Sequence, residues 1–161
     1  SPVSDLEASL GNTLELLRSF RRDMTCLFTV SPVRHIRDGL VANQRSKAHL
    51  ITAVHSLVAS GKADYFPAYE VFMDELRDYR FYAPDLIHPG EQAVGYVWEK
   101  FEACWINPGA RPVMAEVDAI RKGLAHRPFY GKTEAHNRFR EAIQVRIKRL
   151  RERYPHMDFG E

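Results

Sequence analysis

Between residues 5 and 105 only two short β-rich runs interrupt an otherwise helical pattern. Residues 24–30 (MTCLFTV) are apolar, rich in β-formers and show no alternation. That suits a strand covered on both faces, as in a parallel sheet. Residues 64–69 (DYFPAY) form the second run, and Pro67 restricts it to an edge or a strand end. The resulting order of α, β, α, β, α is that of a doubly wound α/β domain. Such a sheet has about five or six strands. Read alone, two strands therefore amount to half of an α/β domain.

The helices are written in the same way. Ser4 followed by Glu7 reads as a capping box, and Leu6, Leu10, Leu14, Leu17 and Phe20 recur at helical spacing, predicting a helix over 5–21. A second is predicted over 44–60, with Leu50, Val54, Leu57 and Val58 inward and Gly61 as its stop. A short helix over 70–77 and a loop over 78–89 follow. Pro89-Gly90 then opens a helix over 91–105, with Val94, Val97, Trp98 and Phe101 inward. Residues 110–155 are helical, with a stripe of Phe139, Ile143, Ile147, Leu150 and Tyr154. The reading is an α/β region over 1–108 and a helical C-terminal extension over 109–161.

Composition narrows the function classes. At 161 residues, 45% hydrophobic and 27% charged, the chain is globular rather than disordered. No apolar run approaches the ~18 residues of a membrane span. The net charge of +2 is too balanced for a dedicated nucleic-acid binder. The balance conceals a basic end: residues 121–154 hold 11 basic and 3 acidic side chains, a local net of +8. Such a helix either binds phosphates or docks its apolar stripe and leaves its charges solvated. Cys26 and Cys104 suit buried small hydrophobes better than a disulfide, which points to a reducing, cytoplasmic-type compartment. The chain opens Ser1-Pro2 rather than Met, so a piece of a longer polypeptide is one expectation.

Asp85 and His88 are the most specific chemical feature. An Asp three residues before a His can fold back onto imidazole Nδ1–H, fixing the tautomer and leaving Nε2 as a general base. The same spacing also suits a turn Asp capping the next helix. A second group, Ser31, Arg34, His35, Arg37, Asp38 and Asn43, follows the first strand. Open α/β sheets bind ligands beyond the carboxyl ends of their strands, which makes this loop a candidate substrate wall. A surface loop with an Arg34–Asp38 salt bridge is the alternative. The aromatics between Tyr65 and Tyr82 sit among more acidic than basic residues, which favours packing and ion pairs over base stacking. No histidine pair has metal-ligand spacing and no Gly-rich phosphate loop follows the strand, so neither a metal nor a cofactor is expected.

Three ordered runs carry a resemblance. They are Phe28-Thr29-Val30-Ser31-Pro32-Val33-Arg34-His35 with Asp38-Gly39 and 43–47; Tyr65-Phe66-Pro67-Ala68-Tyr69-Glu70; and 74–83 (DELRDYRFYA) with Asp85 and His88-Pro89. Together they resemble the C-terminal half of the GSCFA family, grouped with the SGNH hydrolases, over about residues 15–105. The Ala125-His126-Arg127-Pro128-Phe129 stretch and the closing helix resemble that family's tail. The resemblance implies part of a flavodoxin-like three-layer α/β/α sandwich and Ser-His-Asp ester or acyl chemistry, with His88 as base and Asp85 as its orienting carboxylate. Arg34, His35 and Asn43 would contact an acyl-ester or glycan substrate. The Gly-Ser-Cys-Phe-Ala block that names the family is absent from these 161 residues. The nucleophile is thus expected on an N-terminal segment or a second chain. A non-catalytic interaction module with a basic helical end is the other expectation.

Overall fold

The computed structural model describes residues 1–126 and 134–160. It is mostly helical with one small parallel sheet, and it divides into two compact units, Ser1–Cys104 and Trp105–Glu161. Arg127-Pro128-Phe129 of the expected tail motif and Lys132 of the basic run lie outside the described residues. Among the described residues, no helix is long and apolar enough to cross a membrane.

In the first unit, α1 (Val3–Phe20) packs along α2 (Gly39–Ala59). Leu14 of α1 and Ala53, Val54 and Leu57 of α2 are buried. Gly11 of α1 faces Leu57, where a Cβ would make an ordinary contact at 3.9 Å from Leu57 Cδ2. The expected capping box is not made. The helix starts behind Pro2, Ser4 lies inside it, and Glu7 Oε1 accepts from Ser56 Oγ of α2 at 2.6 Å. A tertiary hydrogen bond occupies the carboxylate the box required.

Helix α2 begins at Gly39, earlier than expected, because a 3₁₀ turn over Ile36–Asp38 feeds straight into it. Asn43 is therefore a helical residue and not a loop residue. At the far end Gly61, at φ +70°, donates to Val58 O, and Lys62 N–H reaches Leu57 O at 3.0 Å. This paired closure needs a left-handed residue and stops the helix where the sequence predicts.

Strand β1 (Leu27–Phe28) pairs in parallel with β2 (Asp64–Tyr65), Leu27 opposite Asp64 and Phe28 opposite Tyr65, with α2 as the crossover. Both residues of β1 are half-buried rather than covered on two faces, and β2 is its one strand neighbour among the described residues. A short helix α3 (Ala68–Glu70) continues as a π-helical turn over Val71–Glu75. It delivers Phe72 and Leu76 to a core closed by Ala93 of α4 (Glu91–Trp105). The buried residue of α4 is thus Ala93. Val94 and Trp98, expected inward, are 56% and 46% exposed. Cys26 is half-buried and Cys104 exposed, so neither is the buried small hydrophobe expected; both are free thiols.

In the second unit, α5 (Arg111–Ala125) meets α6 (Glu134–Arg153) around Ile120, Ile143, Ile147 and Leu150, all buried. Each such aliphatic side chain contributes about 1.5–3 kcal/mol on burial. Gly123 lets the helices approach; a Cβ there would fall 2.5 Å from Ile143 Cδ1. Arg146 makes a two-point bond to Glu116 at 2.7 and 2.8 Å. Arg138 pairs with Glu134, and Arg151 reaches Asp158 and the Phe159 ring. The apolar stripe thus docks on α5, and part of the basic run is paired within its own unit, with Arg138 and Glu134 both left exposed.

Candidate active site

The segment from Tyr82 to Gly90 is closed by backbone. Tyr82 and Pro89 form an antiparallel bridge, Ala83 N–H donates to His88 O, and Gly90 N–H donates to Phe81 O, both at 2.8 Å. A Cβ on Gly90 would sit 3.2 and 3.3 Å from the carbonyl oxygens of Tyr82 and Phe81, a tight contact with backbone that favours glycine here. Between Asp85 and His88, Leu86 adopts φ +58°. For a non-glycine residue that left-handed conformation costs about 1–2 kcal/mol.

This turn gathers three donors onto Asp85. Oδ1 accepts from Ile87 N–H at 2.9 Å and His88 N–H at 3.0 Å, while Oδ2 meets His88 Nδ1 at 2.7 Å. The His88 amide, then the His88 ring, then the Ile87 amide hold the Asp85 carboxyl down to about 2. At neutral pH it is an anion and only accepts. His88 Nδ1 must therefore carry a proton, and in the neutral ring Nε2 is the nitrogen that holds the lone pair. Among the described residues Nε2 has no hydrogen-bond partner, and the His88 side chain is 60% exposed. The dyad can accept a proton from an incoming hydroxyl.

The loop after β1 holds a second pair in reverse order. His35 Nδ1 lies 3.0 Å from Asp38 Oδ2. His35 N–H donates to Asn43 Oδ1 at 2.8 Å, so Asn43 braces the loop from the first turn of α2. Lys47 donates to Ser31 O at 2.6 Å, and burial pushes its pKa down. The partner of Asp38 is His35, and the expected Arg34–Asp38 bridge gives way to other contacts. One Arg34 nitrogen donates to Leu86 O at 3.3 Å and another to Tyr82 Oη at 3.2 Å, with the guanidinium 4.8 Å from the Tyr82 ring centre. Tyr82 packs edge-on against buried Phe72 at 4.8 Å. Arg34 thus joins the loop after β1 to the Asp85/His88 turn. Sequence reasoning missed this link, because nothing in the order of residues marks Leu86 as left-handed or its carbonyl as an acceptor.

Beside these loops lies an apolar groove of about 600 Å³. Leu27, Thr29 and Ser31 of the β1 segment, Phe66 and Phe72, and Val94, Val97 and Trp98 of α4 line it. Pro89, next to His88, closes part of it. The aromatic stretch serves packing and hydrogen bonding. Tyr65 Oη donates to both Glu70 oxygens at 2.9 Å, and burial followed by Glu70 raises its pKa. Tyr96 Oη donates to Glu75 at 2.6 Å. Among the described residues no group of three or more His, Cys, Asp and Glu side chains is gathered to hold a metal ion.

A parallel strand–helix–strand unit carrying a solvent-facing Asp–His pair defines an α/β domain with the means for acid–base chemistry. The GSCFA family model matches residues 1–101, and the model of the GSCFA domain protein C-terminal domain matches residues 117–161. The chain belongs to the GSCFA family. The matches run further along the chain than the expected likeness to the family's C-terminal half alone, reaching back to residue 1. No curated protein and no solved structure matches the chain.

Proposed function

We propose that this chain is part of an SGNH-type esterase or acyltransferase, with the unit Ser1–Cys104 completing a flavodoxin-like sandwich together with a segment that carries the nucleophilic Ser. The observation that carries the reading is the Asp85/His88 pair, with a threefold-bonded carboxylate and a free Nε2. His88 Nε2 takes the Ser hydroxyl proton as the oxygen attacks the ester carbonyl, forming a tetrahedral oxyanion. The protonated imidazole, balanced by Asp85, returns that proton to the departing alcohol and leaves an acyl-enzyme. Water or an acceptor hydroxyl then repeats the cycle in reverse. Arg34 and His35 on the loop after β1, with Asn43 in α2, would border an acyl-ester or glycan substrate. The free thiols suit a reducing, cytoplasmic-type compartment.

The site of the nucleophile segment is supported by the open side of β1 and the groove next to it. A strand with one neighbour leaves backbone donors and acceptors for another strand, and exposed Val94 and Trp98 offer it apolar cover. Native and denaturing masses of material purified from its source test this. A co-purifying or continuous Gly-Ser-Cys-Phe-Ala segment is expected, with p-nitrophenyl acetate turnover lost on Ser→Ala. A cooperatively folding monomer of 18.6 kDa without such a segment would instead favour the non-catalytic interaction module.

A further inference from the structure

Arg34 reaches the Asp85/His88 turn from the loop after β1. Its two donor contacts fall on groups with different tasks. Leu86 O belongs to the left-handed residue lying between the two members of the dyad. Tyr82 Oη belongs to a ring fixed edge-on against Phe72, whose side chain is fully buried. Tyr82 is also a partner of Pro89 in the backbone bridge that closes the turn. A planar guanidinium spans two such acceptors in one fixed geometry, which an ammonium group does not.

We propose that Arg34 is a positioning residue: it clamps the Leu86 carbonyl to the Phe72-anchored Tyr82 and so keeps the Asp85/His88 turn in the conformation that leaves His88 Nε2 free. This assignment rests on the reading of His88 as the base. It gives Arg34 a role through the dyad. Without the clamp, Leu86 relaxes toward φ < 0, the Ile87 and His88 amides swing away from Asp85 Oδ1, and the ring loses the fixed acceptor at Nδ1. The imidazole then exchanges between its two neutral tautomers.

The test is ¹⁵N NMR of the histidine side chains in the full chain, held above the pH at which His88 is protonated. In the wild type the His88 Nδ1 and Nε2 resonances should lie far apart, at the protonated and unprotonated positions. Arg34→Met should bring them together by a large part of that separation. Arg34→Lys, which keeps the charge and loses the fork, should do so partly. Leu86→Gly placed in the Arg34→Met background should restore most of the separation, because glycine removes the steric cost that drives residue 86 out of the left-handed conformation once the clamp is gone. A purely structural Arg34 would lower the urea midpoint and leave the His88 resonances where they were. That result, or the absence of rescue by Leu86→Gly, overturns the proposal; if Arg34→Met does not fold, unchanged resonances in Arg34→Lys do the same. The readout needs no ester turnover, so failure of the clamp and failure of the ester chemistry are seen separately.

Discussion

The two His–Asp loops use the same spacing in opposite order and build different things. In the loop 82–90 the Asp comes first. Its carboxylate lies over the following turn and collects the Ile87 and His88 amides as well as the His88 ring. In the loop 31–38 the Asp comes last, at the mouth of α2, and holds the His35 ring without a capping bond to its own helix. Each loop hands over to a helix through glycine, but for different reasons. Gly90 is favoured by the nearness of two carbonyls, Gly39 by a φ of +79° in open space. The order Asp-x-x-His makes a preorganised acceptor for an imidazolium; the order His-x-x-Asp makes a surface pair, of a kind worth ~0–1 kcal/mol.

That contrast can be broken most severely by neutralising each carboxylate. In material that carries the nucleophile segment, Asp85→Asn should lower p-nitrophenyl acetate turnover by about 10²–10⁴-fold, the usual worth of a positioned acid–base group. Asp38→Asn should change it less than about threefold, the scale of an exposed pair. Equal losses would erase the distinction. Next in size is the glycine comparison. Gly90→Ala should destabilise the chain by about 1–3 kcal/mol through backbone overlap, and Gly39→Ala by about 1 kcal/mol through its left-handed φ. Urea midpoints measure both, and a change in the His88 resonances should accompany Gly90→Ala alone.

The acid limb sharpens the same contrast. Asp85 titrates at about 2 in the folded chain against an ordinary 3.8. Its contribution is therefore complete above 3.8 and is lost as the pH falls toward about 2. Asp85→Asn should flatten the fall of the urea midpoint across that window; superimposable limbs would contradict the bonding described. The smallest effect is expected at Trp98. In this chain alone Trp98→Gln should alter stability by no more than about 0.5 kcal/mol, because the ring is half exposed. In the assembly with the nucleophile segment it should weaken association by at least ~1 kcal/mol, read by titration of the separated parts.

Much of the frame was legible in the residues. The two β runs, the Gly61 stop and the Ile143, Ile147 and Leu150 stripe follow from periodicity and glycine chemistry, which act locally. The contents of the first unit's open side were not. Val94 and Trp98 carry the right period for an inward face, but small Ala93 is what fits against Phe72 and Leu76. Period alone cannot say which of two adjacent apolar positions meets a wall. Within the site, Asp85 and His88 were visible because their contact is local in sequence. Arg34's contact spans more than fifty positions and depends on one left-handed residue, so its partner could not be read from spacing; the nearest acid, Asp38, was the natural guess and was taken by His35.

The most direct test of the central claim compares His88→Ala with His35→Ala in material containing the nucleophile segment, with p-nitrophenyl acetate as substrate. The account predicts that His88→Ala abolishes turnover while His35→Ala retains most of it. Turnover that survives His88→Ala, or that falls equally in both variants, would contradict it.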